Sequence, residues 1–211
     1  MAAWRHAPRK TRPDIWCIQE THVATQGEAD NLDREWRRLW GLSTADPASP
    51  LSYWSLGTRH AGGVAFLLTP AMARSAHPWS GLRTTSRQLA FYVPDNFLLV
   101  NIYVPNERAE RELFFEGLEG MQQSPAPVIL AGDFNCVQHP SIDRLRLRTA
   151  NRSESPALDI LADVCQLVDA LDLVPHPDDD LWWEPATHFT YWAGSAASRI
   201  DRFYVSHAWG D

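Results

Sequence analysis

The chain has 211 residues, 45% apolar and 21% charged, with 19 Lys and Arg against 26 Asp and Glu and a formal net charge of −7. That length suffices for one domain with a substantial core, and the acidic balance argues against a nonspecific polyanion binder. No apolar run approaches the roughly 20 residues of a membrane span. MAAWRHAPRKTRPD lacks a signal-peptide core, and three scattered cysteines without a CxxC indicate neither a disulfide framework nor a zinc knuckle.

Residues 14–19 (DIWCIQ) form a short apolar run after Pro13 and read as a buried strand. From Glu28 to Trp40, Leu32, Trp36, Leu39 and Trp40 recur at helical spacing, with Gly41 as the stop. Gly62-Gly63 lead into the strand VAFLL. QLAFYV (88–93) and FLLVNIYV (97–104) are two more strands, parted by the turn Pro94-Asp95-Asn96. Asn106 is positioned to cap a helix through ERAERELFFEGLEGM. Pro127 precedes the strand VILAGD, and Pro156 opens the helix ALDILADVCQLVDAL. Pro175–Pro185 reads as an exposed loop, followed by HFTYW and SRIDRFYVS, two strands joined by the turn AGSAAS. Cys17 and Cys165 lie in apolar runs and read as small buried hydrophobes.

Strands this apolar must be covered on both faces, so one α/β layered domain over residues 1–211 is expected. The cations are almost all arginine, which grips phosphate bidentately where lysine cannot. Arg144, Arg146 and Arg148 alternate in one short run, a local patch suited to nucleic-acid phosphates, and Trp192 is a candidate stacking surface.

Acids recur at strand ends: Glu20 after DIWCIQ, Asp133 with Asn135 in VILAGDFN, and Asp201 in SRIDRFYV. Side chains there can converge at the sheet edge. Carboxylates suit hard cations such as Mg²⁺, and phosphodiester cleavage needs a cation to neutralise developing charge. Capping and turn formation are the bland alternative for the same acids.

PDIWCIQETH, GGVAFLL, NIYVPN, ILAGDFNCV and SRIDRFYVS, in that order, resemble the endonuclease/exonuclease/phosphatase family. The ending THFTYW…SRIDRFYVS is most similar to the endonuclease domain of non-LTR retrotransposons. The resemblance implies a four-layered α/β/β/α sandwich of two mixed sheets flanked by helices, cleaving phosphate esters with Mg²⁺ or Mn²⁺. It implies DNA as partner and a reverse transcriptase domain in the same full-length reading frame. Acting on chromosomal DNA would place the protein in the nucleus. By the same resemblance Glu20 holds the metal, Tyr103 contacts the scissile phosphate and Asp133 deprotonates the attacking water. Asn135 helps bind the phosphate, and Asp201 orients a histidine. Asp169 matches a position that is usually structural.

Two family features do not appear: an early W-N-x-x-G strand and a final S-D-H motif, for which His207 lies too close to Asp201. The expectation is therefore a sandwich lacking the family's first and last strands, with impaired activity. Three functions stay open: a retroelement DNA endonuclease, a non-catalytic nucleic-acid-binding remnant, and a lipid or small-molecule phosphoesterase of the same fold.

Overall fold

Apolar segments with no polar face pair with one another and then demand a layer on each side. In the computed structural model, which describes residues 13–43, 50–145, 154–173 and 188–207, two sheets form this way. β1 (Ile15–Ile18), β2 (Ser52–Trp54) and β3 (Ala65–Leu68) make an antiparallel sheet in the order β1-β3-β2. β4 (His77–Pro78), β5 (Gln88–Val93), β6 (Phe97–Tyr103), β7 (Val128–Asp133), β9 (Leu167–Asp169) and β12 (Asp201–Ser206) make the second, in the order β4-β5-β6-β7-β12-β9. Within it β6 and β7 run parallel and every other pair antiparallel, so this sheet is mixed.

Short helices α2 (Pro70–Ala73) and α4 (Pro140–Asp143) sit in connections between strands, and alternation along β6 builds both cores. Leu98, Val100 and Ile102 face α3 (Arg108–Glu116) and α5 (Pro156–Cys165), where they meet Phe115, Leu158 and Leu161. Leu99 and Tyr103 face the three-stranded sheet and share a core with Phe66 and Phe91. The outer side of that sheet is covered by α1 (Gln26–Leu39): Trp36 packs edge-on against Trp16 at 5.2 Å, and its indole donates to the Leu68 carbonyl at 2.8 Å. The layers run α/β/β/α, as expected.

Local signals shift some boundaries. α1 begins at Gln26, two residues early, because Thr25 and Glu28 form a capping box. α3 is capped by Glu107, whose carboxylate accepts the Glu110 N–H at 2.9 Å, and not by Asn106. α5 stops at Cys165, where Gln166 turns left-handed (φ 52°), and Leu167–Asp169 becomes β9. Pairing with β12 overrides the helical periodicity of that stretch. AGSAAS is only partly a turn: β10 (Tyr191–Ala193) and β11 (Ala196–Ser198) pair across Gly194 and Ser195, and β8 (Arg144–Leu145) joins them in a small third sheet. The expected loop at 175–185 and Arg146 and Arg148 lie outside the described residues. Cys136 is buried, Cys17 and Cys165 half-buried, and burial pushes the Cys17 thiol up to about 12.

Candidate active site

The strand register brings three of the expected residues into one row. Tyr103 pairs with Asp133 across β6 and β7, and Asp133 pairs with Asp201 across β7 and β12. Register partners point to the same face, one strand spacing of about 4.8 Å apart. Gly132 makes the row possible. Its φ is 140°, and a Cβ there would lie 2.0 Å from the Ile102 carbonyl oxygen, so only glycine lets β7 approach β6.

Glu20 reaches the row from the opposite sheet through a buried clamp. Asn101, fully buried in β6, donates to the Ile18 and Ala65 carbonyls at 3.1 and 2.9 Å and accepts from the Gln19 amide at 2.6 Å. One side chain thereby ties both sheets together at the residue before Glu20. Beyond it, the Thr21 and His22 N–H groups donate to Gly63 and Gly62 at 3.0 and 3.1 Å. So placed, Glu20 accepts a hydrogen bond from the Tyr103 hydroxyl. Asn135 closes the other side: its N–H donates to Asp133 Oδ1 at 2.9 Å, and its amide donates to the Val104 carbonyl at 2.7 Å.

Glu20, His22 and Asn135 have φ of 50°, 54° and 47°, and they are three of the five left-handed non-glycine residues among those described. Each such conformation costs on the order of 1–3 kcal/mol, and such strain clusters where geometry serves chemistry.

The electrostatics fit a reacting centre. Burial pushes Asp133 up to about 6; the Asn135 N–H opposes this, and the charges of Asp201 and Glu20 reinforce it. Burial also pushes Tyr103 up to about 12, aided by its bond to Glu20 and that residue's charge, while Arg87 opposes. At neutral pH Asp133 is therefore an ionised base of useful strength and Tyr103 a protonated donor. Three mutually repelling carboxylates are an oxygen-rich environment of the kind a hard divalent cation relieves. Among the described residues no group of three or more His, Cys, Asp or Glu is arranged to hold a metal ion.

Of the expected nucleic-acid residues, Trp192 and Arg144 lie on the same small sheet, on β10 and β8. Trp192 is 58% exposed and meets Phe189 edge-on at 5.9 Å, so it is a surface group and no part of the core. Arg144 is half-buried opposite Ser198. His207 sits at the far end of β12 from Asp201, its N–H on the Gln166 carbonyl at 3.0 Å, and has no place in the row. His22 is exposed. His188 shares with Asp201, Arg199 and Phe203 the wall of a cavity of about 300 Å³ beside the row. Asp169 is buried and accepts from Arg199, a structural role.

Sequence reasoning missed Asn101 and Arg87. Asn101 had a signal: a lone amide inside FLLVNIYV must be hydrogen-bonded if that strand is buried. Arg87 had none, since a cation ahead of an apolar strand is ordinary. Its guanidinium lies over the Tyr103 ring, Cζ 4.9 Å from the centroid.

A protein-family model described as the Endonuclease/Exonuclease/phosphatase family matches residues 1–211. The chain belongs to that family. Membership supports a phosphodiester hydrolase. Among solved structures the fold is similar to a 3'-5' exonuclease (NExo) from Neisseria meningitidis, with a TM-score of 0.65 at 20% identity, covering 94% of this chain and 78% of that one. It is also similar to an AP endonuclease from Archaeoglobus fulgidus, with a TM-score of 0.63 at 17% identity over 94% and 78% of the two chains. A third similar structure is the Neisseria 3' phosphatase NExo bound to a product DNA hairpin, with a TM-score of 0.62 at 18% identity over 94% and 78%. At these identities the likeness is one of fold. No curated protein sequence matches the chain.

Proposed function

We propose that the chain is a DNA endonuclease domain of the retroelement type, hydrolysing phosphodiesters with a divalent cation, Mg²⁺ or Mn²⁺. The observation that carries this reading is the row Tyr103–Asp133–Asp201 with Glu20 bonded to Tyr103. Asp133 takes the proton of a water whose oxygen attacks phosphorus, as the bond to the leaving oxygen breaks and that oxygen is protonated from solvent. The Tyr103 hydroxyl, with one hydrogen to give, turns from Glu20 to a phosphoryl oxygen when substrate enters, and the Asn135 amide donates to another. A cation at Glu20 would neutralise charge on the phosphoryl and leaving oxygens. Asp201 adds negative charge beside Asp133 and so strengthens it as a base. DNA rather than a lipid headgroup is favoured by the exposed Trp192 on its small sheet, because base stacking needs such a ring.

The retroelement assignment rests on THFTYW…SRIDRFYVS and predicts a reverse transcriptase in the same reading frame. Sequencing the genomic flanks tests that directly. The activity is tested by nicking of supercoiled plasmid. The expected result is Mg²⁺-dependent nicking that chelation stops and Asp133→Ala abolishes; preferential turnover of phosphoinositide over plasmid and abasic duplex would overturn the choice of substrate.

A second reading is DNA binding without cleavage, through the arginine run that begins at Arg144. It predicts salt-sensitive binding that survives chelation, with no nicking at any metal concentration.

A further inference from the structure

Arg87 and Tyr103 bracket one another. The Tyr103 N–H donates to the Arg87 carbonyl at 2.8 Å, the Arg87 guanidinium Nη1 donates to the Tyr103 carbonyl at 3.4 Å, and the same guanidinium covers the phenol ring. The preceding residue, Ser86, accepts the Gly63 N–H at 2.7 Å, and Gly63 in turn holds Thr21, next to Glu20. The segment ending at Arg87 thus supports both partners of the Tyr103–Glu20 hydrogen bond: one through a ring face, the other through a glycine turn. A planar guanidinium can lie flat on a ring and donate from its edge at once, which a lysine ammonium cannot.

We infer that Arg87 is a positioning residue of this site, holding the Tyr103 phenol in the orientation that presents its hydroxyl to Glu20 and, when substrate takes over as acceptor, to a phosphoryl oxygen. The inference rests on the reading of Tyr103 as a donor to the reacting phosphate. The Arg87 backbone bond to Tyr103 survives any side-chain substitution, so Arg87→Met removes only the cation and its planar grip.

The test has two independent arms. In single-turnover plasmid nicking, Arg87→Met lowers kcat about 10- to 100-fold, the usual cost of a misplaced catalytic group, with KM within about twofold. Arg87→Lys recovers part of the loss. Added to Tyr103→Phe, Arg87→Met costs nothing further. An equal loss in both backgrounds, or no loss in either, overturns the inference. The second arm needs no activity. The chain has five tyrosines, so ¹³Cζ-tyrosine NMR can resolve Tyr103, assigned by its disappearance in Tyr103→Phe. Arg87→Met must shift that resonance while the melting temperature holds; an unmoved resonance overturns the inference. If the wild type nicks no DNA, the proposed function fails, and the NMR arm still decides whether Arg87 holds Tyr103.

Discussion

β12 carries two charge clusters on its two faces, and they have opposite character. Toward the opposing sheet, Asp201 joins Asp133 and Glu20, three acids with no balancing partner among them. Toward the helices, Arg202 joins Arg199, Asp143 and Asp169 in a buried lattice of two cations and two anions. There Asp143 accepts from Arg199 Nε at 2.8 Å, from Arg202 Nη2 at 2.5 Å and from the His139 N–H at 2.8 Å. Asp169 accepts from Arg199 Nη1 at 2.7 Å. Burial raises both Asp133 and Asp143, yet only Asp133 ends high. For Asp143 the pull of Arg202, the His139 N–H and Arg199 outweighs burial and holds its carboxyl below the usual range. Matched charge in the interior is architecture, and unmatched charge at the strand ends is available for chemistry.

The sharpest way to break this contrast is to unpair the lattice. Asp143→Ala leaves one carboxylate, Asp169, against two buried guanidinium groups, and should cost about 3–5 kcal/mol, lowering the melting temperature by roughly 10 °C. Calorimetry checks it, and a change under 1 kcal/mol would show that the lattice is not structural.

The opposite outcome is expected in the row. Asp133→Asn should lower the nicking rate by about 10²- to 10⁴-fold without destabilising the fold. Because the folded carboxyl at about 6 stands above its ordinary value of 3.8, the native state holds a proton that the unfolded chain has already released. Stability therefore falls as pH rises across that window, and the penalty is complete above about pH 6. Asp133→Asn should remove it, giving a gain of about 1 kcal/mol at pH 7, since solvent screens a half-buried group. For the wild type, the rate should climb with pH to about 6 and then level off. A rate flat from pH 5 to 8 would remove Asp133 from the role of base.

Asn101→Ala strikes the clamp beside Glu20, because it strands the Ile18 and Ala65 carbonyls and releases the Gln19 amide. About 1–3 kcal/mol of stability should go, together with activity, in chemical denaturation and nicking measured on the same protein. The smallest effect is expected on the surface. Trp192→Ala should weaken single-stranded DNA binding by about 1–3 kcal/mol while leaving the melting temperature unchanged, as fluorescence titration and thermal melts would show.

Much of this site was readable before the fold. Apolar strands that end in an acid point to Glu20 and Asp133 at the sheet edge, while Asp201, inside SRIDRFYV, opens its strand and was singled out with the help of the family resemblance. What could not be read is how far the neighbouring strands differ in their surroundings. Asp169 lies in a run with helical spacing and Asp201 in a strand-like run between two arginines, yet it is Asp169 that is neutralised by arginine in the core and Asp201 that faces the row. Side-chain alternation settles this only once the face of each strand is known. The end of α5 shows the same limit: LVDAL continues a helical period, and its pairing with β12 makes part of it a strand.

The sequence by itself determined that strands too apolar for a wet face must be sandwiched, and it marked the acids at their ends as able to converge. Local patterning is enough for that, since it depends on each segment's own polarity. Only the tertiary structure decided that Asn101 clamps the two sheets, that Arg87 covers Tyr103, and that neighbours on β12 serve opposite purposes. These depend on contacts between residues far apart in the chain, some 83 positions for Tyr103 and Glu20, and no local pattern encodes them.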